Sequence, residues 1–94
     1  MTYRNEQDSL GKIKVPADAY YGPQTQRAAD NFAISGLKLP TVFIHQLARV
    51  KKCAAKVNTE LDLLDEALAN AIRQATDEVM AGQLNDQFVV DLFQ

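Results

Sequence analysis

Between residues 43 and 61, apolar side chains recur at steps of four and three: Phe43, Leu47, Val50, Ala54, Val57 and Leu61. That period puts them on one stripe of an α-helix, with Arg49, Lys52 and Lys56 on the opposite face. The pattern predicts a long amphipathic helix of about five turns, with Thr41 as its cap. A second stripe follows at Leu64, Leu68, Ile72, Ala75 and Val79. Asp65 is placed to cap this helix, Glu66 complements the dipole in its first turn, and Gly82 suits the residue just past its end. The link between them, roughly Glu60 to Leu64, is short, which favours an antiparallel helical hairpin.

Residues 1–22 read differently. Gly11, Pro16 and Gly22 punctuate them, and Lys12-Ile13-Lys14-Val15 alternates polar with apolar. Alternation of period two predicts a short strand, with a partner at Tyr3–Glu6. Such a ribbon is marginal alone and needs something to lie on. Pro23 is compatible with a first helical turn, and Gln24 to Asn31 reads as a short helix with Ala28, Ala29 and Phe32 as its apolar side. Ser35-Gly36 and Pro40 then break the chain. The fold class expected is mainly α: one small domain over 1–94, with a short β-ribbon, a short helix and an antiparallel pair of long helices. The run Phe88-Val89-Val90-Asp91-Leu92-Phe93-Gln94 is apolar where a chain end is usually polar. It is expected to find its packing partner outside these residues, the alternative being that it folds back onto the hairpin.

Composition changes this picture little. The chain has 94 residues and a net charge of −2, which argues against a nucleic-acid partner or an acidic membrane surface. No run approaches a membrane span and no apolar leader opens the chain, so the expected location is the cytoplasm. The charge is uneven. Arg49, Lys51, Lys52 and Lys56 crowd one segment, while eight acids from Glu60 onward face Arg73 alone. A basic helix lying beside an acidic one accounts for this, and a basic docking surface is the alternative.

The search for chemistry is mostly negative. Gly11-Lys12 lacks the rest of a phosphate loop. With one histidine, His45, and one cysteine, Cys53, a zinc site of the usual Cys/His kind is not available, and their spacing is too long for a nucleophile pair. Cys53 is read as a small core or half-buried residue and His45 as a surface or interface residue. The adjacent acids Asp65-Glu66 and Asp77-Glu78 diverge on a helix and make no acid–base dyad. No catalytic residue and no metal ligand is assigned. One polar cluster stands out: Gln24-Thr25-Gln26-Arg27 offers amide, hydroxyl and guanidinium groups near a helix N-terminus, where carboxylates are well received. Residue chemistry alone favours a structural capping role for it over a binding role.

The run Val15-Pro16-Ala17-Asp18-Ala19-Tyr20-Tyr21-Gly22-Pro23-Gln24-Thr25-Gln26-Arg27-Ala28, followed by Asn31-Phe32-Ala33-Ile34-Ser35-Gly36, closely resembles the start of the class II fumarase/aspartase family. Tyr3-Arg4 through Leu10-Gly11, Lys51–Asn58, Asp77-Glu78-Val79, Gly82, Asp86, Phe88 and Asp91-Leu92-Phe93-Gln94 also fit its pattern, so the resemblance covers essentially the whole chain. Gln24-Thr25-Gln26-Arg27 looks like the fumarase form, whereas the pair Tyr20-Tyr21 leans toward aspartases. The resemblance implies the N-terminal domain of a homotetrameric lyase that adds or removes water (or ammonia, in the aspartase alternative) at the double bond of fumarate. The chemistry implied is general acid–base, without metal or cofactor. The partners implied are the rest of the same polypeptide, the other subunits and a small dicarboxylate. The family's catalytic serine, histidine and lysine match nothing here, so these residues are expected to be inactive alone, with Gln24, Thr25 and Arg27 as candidates for the rim of a site. A reading from another class is a free-standing helical module that docks a partner through its apolar tail.

Overall fold

A computed structural model describes all of residues 1–94. It contains a two-stranded antiparallel ribbon, three helices and a single 3₁₀ turn at Asn85–Gln87. The chain divides into two compact units, Met1–Leu39 with Asp86–Gln94, and Pro40–Asn85. No helix is long and apolar enough to cross a membrane.

In the first unit, strands β1 (Tyr3–Asp8) and β2 (Gly11–Pro16) pair in the register Tyr3↔Pro16 to Asp8↔Gly11. Both strands run longer than the alternation at Lys12–Val15 indicated, and the expected partner segment is the observed one. The turn depends on two residues. The Asp8 carboxylate accepts the Leu10 N–H at 2.9 Å, and Gly11 takes a φ of 117°, a region that glycine enters without steric cost. One face of the ribbon is covered and carries Arg4, Glu6, Asp8, Ile13 and Val15. Helix α1 (Pro23–Asn31) lies against both strands, which supplies the support such a ribbon requires. Val15 is fully buried, and no other large side chain is.

The C-terminal run belongs to this unit, tied to it by backbone and carboxylate hydrogen bonds rather than by its apolar side chains. Leu92 N–H donates to the Leu37 carbonyl at 2.8 Å, and Lys38 bridges to Asp91 in antiparallel fashion. An isolated bridge satisfies the backbone locally, so the apolar residues need not be the anchor. Phe93 stays 66% exposed.

The second unit is the helical hairpin, α2 (Thr41–Glu60) and α3 (Glu66–Met80). The helices are antiparallel, since Lys52 meets Asp77 at 2.6 Å while His45 meets Asn85 at 3.2 Å. The basic and acidic helices therefore lie side by side, although an ion pair this exposed adds little stability. Asp65 caps α3 by accepting from the N–H groups of Ala67 and Leu68 at 3.1 and 3.4 Å. Gly82, at φ 83°, ends it in a Schellman arrangement, with Gly82 N–H to Val79 O and Gln83 N–H to Glu78 O. Helix α2 ends the same way around Asp62 at φ 59°, with Asp62 N–H to Thr59 O and Leu63 N–H to Asn58 O. Aspartate is one of the few residues besides glycine that visit this region. Thr41 is not the cap of α2. The cap position is Pro40, which offers no side-chain acceptor, and Thr41 is the first helical residue.

The hairpin seam is not the apolar stripe. The buried positions are Ile44, Ala48 and Ala55 on α2, and Ala69 and Thr76 on α3. Each lies one residue beyond a stripe residue or its equivalent: 43/44, 47/48, 54/55, 68/69 and 75/76. Apart from Ile44 these are small residues, which let two helix backbones approach closely. The Thr76 hydroxyl is satisfied inside its own helix by the carbonyls of Ile72 and Arg73. The larger stripe is left outside, with Leu47 47% and Leu68 59% exposed. One residue is about 100° on a helix. Because the offset has the same sense on two antiparallel helices, both stripes lie on the same side of the hairpin. Cys53 is likewise exposed rather than core, being far around α2 from the seam. His45 is half-buried, with its Nε2 against Asn85 Oδ1.

Candidate functional site

The polar cluster singled out in the sequence sits at the start of α1. Gly22, in extended conformation, precedes Pro23 and contributes no side-chain cap. The capping role favoured on residue chemistry is therefore not the one adopted, because each polar side chain is engaged elsewhere or free. Gln26 reaches forward along its own helix, with Nε2 donating to Asp30 at 2.9 Å, while its Oε1 is enclosed without a partner. Arg27 turns to the ribbon. Its Nε and Nη2 donate to the two carboxylate oxygens of Asp8 at 2.8 and 2.9 Å, and Nη2 also donates to the Gly11 carbonyl at 3.2 Å. This two-pronged geometry is the strong form of an ion pair. It holds the Asp8 carboxyl below its usual range, chiefly through the Arg27 hydrogen bonds, and raises Arg27 in return.

Gln24 and Thr25 remain available. Gln24 is exposed and Thr25 half-buried. Both line a shallow depression of about 430 Å³ with Gln7, Asp8, Gly22 and Pro23. Thr25 also borders an apolar depression of about 300 Å³ formed with Tyr21, Leu39, Gln87, Phe88, Val89 and Val90. The structure thus brings Gln24, Thr25 and Arg27 to one end of α1, with Arg27 committed to Asp8 and the other two presented outward.

A second polar centre lies at the C-terminal run. Asp91 is buried, and its carboxylate accepts from the N–H groups of Phe93, Ser35 and Gly36 and from the Ser35 hydroxyl, at 2.9 to 3.1 Å. The backbone donors of Phe93 and Ser35 lead in pulling its pKa to about 2. Sequence reasoning missed this centre, and also the role of Asp8. A single acid inside Val89-Val90-Asp91-Leu92-Phe93 is a usable signal for a paired carboxylate. Asp8 and Arg27, 19 residues apart, carry none. Both shifted acids are held ionised by donors already in place, so neither is poised to exchange a proton near neutrality. No group of three or more His, Cys, Asp or Glu side chains converges as a metal cage.

A family model described as "Lyase" matches residues 11–94. The chain is 56% identical to a class II fumarate hydratase of Halobacterium salinarum over 92 residues, which is 98% of this chain and 20% of that protein. The chain belongs to the class II fumarase/aspartase family of lyases. Solved structures agree. A class II fumarase from Schistosoma mansoni superposes with a TM-score of 0.87 at 37% identity, over 99% of this chain and 20% of that one. A protein from Brucella melitensis described as a fumarate lyase/delta crystallin gives 0.82 at 46% identity, over 100% and 22%. The chain spans 20% of the length of the curated relatives it matches. The residues that carry the fumarase/aspartase resemblance include the structural anchors just described: Val15, Arg27, Ser35-Gly36 and Asp91.

Proposed function

We propose that residues 1–94 form the N-terminal domain of a class II fumarase, an enzyme that reversibly hydrates fumarate to L-malate, and that they turn over no substrate alone. The observation that carries this reading is near-complete coverage of this chain by fumarate hydratases of which it spans one fifth. Two features support it. The hairpin leaves a two-helix apolar face open, as a piece of a larger helical assembly does. The strongly placed acids, Asp8 and Asp91, serve as structural acceptors. In the full enzyme a base removes a proton beside a carboxylate and donors stabilise the dianion that forms. The groups for that chemistry lie in the rest of a homotetrameric, cytoplasmic protein that needs no metal or cofactor. Gln24 and Thr25 belong to the rim of the dicarboxylate site, and Arg27 holds them there through Asp8.

The test is an absorbance assay of fumarate formation by the full-length lyase, with L-malate and L-aspartate as separate substrates and residues 1–94 as control. Malate turnover by the full-length protein alone is the expected result. Aspartate turnover instead establishes the aspartate ammonia-lyase reading, which the pair Tyr20-Tyr21 favours. Turnover by residues 1–94 overturns the proposal.

A further inference from the structure

We infer that Arg4 is a positioning residue that sets where the first turn of α1 stands. Its side chain leaves the covered face of the ribbon beside Val15, its cross-strand partner. Nη1 donates to the carbonyls of Pro16, Ala17 and Ala19 at 3.0, 3.1 and 2.8 Å, and Nη2 donates to Tyr21 at 2.8 Å. Nε donates to Glu6 at 2.7 Å, which completes the use of all three nitrogens.

Four carbonyls within six residues thus converge on one point. Their dipoles repel one another, and a cation at their meeting point offsets that repulsion. A planar guanidinium suits such a cage, the two N–H groups of Nη1 being shared among three carbonyls and Nη2 taking the fourth, whereas an ammonium has three donors and no plane. The last carbonyl of the cage, on Tyr21, is one residue before Gly22 and two before Pro23, so the cage aims the chain into α1. Gly22 has no side chain with which to do this. The other local ties are single bonds: Ala17 N–H to Thr2 O at 2.9 Å, Ala19 N–H to Pro16 O at 3.1 Å and Tyr20 N–H to Gln87 Oε1 at 2.8 Å. Arg4 therefore directs the entry to the helix, and Arg27 holds its next turn against Asp8. Gln24 and Thr25 lie between these two guanidinium contacts, and their location follows from both. The inference rests on the rim role proposed for Gln24 and Thr25.

The experiment uses the full-length lyase and steady-state kinetics with L-malate. The double variant Gln24→Ala/Thr25→Ala tests the rim by itself, and a raised KM is expected. Arg4→Ala is expected to raise KM about tenfold, the scale of one hydrogen bond to the substrate lost, with a much smaller change in kcat. Guanidinium chloride at low millimolar concentration refills the carbonyl cage and restores most of the lost KM in Arg4→Ala, and restores nothing in the double variant. If the double variant has a raised KM while Arg4→Ala does not, or if guanidinium leaves the Arg4→Ala defect unchanged, the positioning role is overturned and the rim stands. If the double variant keeps the parent KM, the rim reading itself fails and takes the positioning role with it. Should Arg4→Ala not fold, Arg4→Lys keeps the charge with fewer donors; a smaller rise in KM at a Tm near that of the parent supports the role, and an unchanged KM sinks it.

Discussion

The two units of this chain are held together by opposite means. In the ribbon unit, a single apolar side chain, Val15, is fully buried, and the long-range side-chain ties, the Gln87 bond to Tyr20 N–H aside, carry an ionised group: chiefly Arg4 on four carbonyls, Arg27 on Asp8, and Asp91 on four donors. In the hairpin unit, the seam is Ile44, three alanines and Thr76, and the one ion pair across it is exposed. The difference follows from what each segment has to bury. A six-residue strand with a half-covered face offers few apolar atoms, so order comes from directional bonds with ionised partners, which are worth more than neutral ones. Two helices of 20 and 15 residues can interlock along their length and need no such bonds.

The largest effect should come from crowding the seam. Ala55→Leu places three extra carbons where two backbones approach, and the hairpin should lose about 3 kcal/mol. Urea unfolding followed by helical circular dichroism checks this; a variant as stable as the parent means that the seam is not tight. The ribbon unit should be indifferent to that change and sensitive instead to acid. The folded pKa of Asp91 is about 2 and that of Asp8 is lowered as well, while an unfolded aspartate titrates near 3.9. A depressed carboxylate contributes its stability above the unfolded pKa and loses it as pH falls toward the folded one. Protection of the Ser35, Gly36 and Phe93 amides, relative to the intrinsic exchange rate at each pH, should therefore fall between about pH 4 and pH 2, ahead of that of Ala55 and Ala69. Simultaneous loss in both units removes the distinction. The smallest effect on stability should come from the open stripe. The pair Leu47→Glu and Leu68→Lys alters side chains that are 47% and 59% exposed, so each should shift stability by less than about 0.5 kcal/mol. Concentration-dependent self-association, measured by sedimentation, should fall at the same time, because the exposed apolar face is what drives it. A large loss of stability shows that the stripe is already packed.

Much of the fold was legible along the chain. The alternation at Lys12–Val15 located the ribbon, Pro23 the start of α1, Asp65 and Gly82 the ends of α3, the two apolar stripes the existence of the long helices, and the short link between them their pairing. These are local matters: a period, a cap or a glycine acts on its own neighbours within a turn or two. The family was also legible, because an ordered combination of residues spanning the chain carries it. What the chain alone did not disclose is which side of each long helix meets the other. Periodicity marks an apolar face but not the surface that will cover it, and here the seam took the smaller residues one position along. Nor did it disclose that Arg27 answers Asp8, that Arg4 gathers the carbonyls of residues 16–21, or that Asp91 ties the C-terminal run to Ser35 and Gly36. Those contacts join positions 12 to 56 residues apart, and only closure of the fold brings such groups within hydrogen-bonding distance.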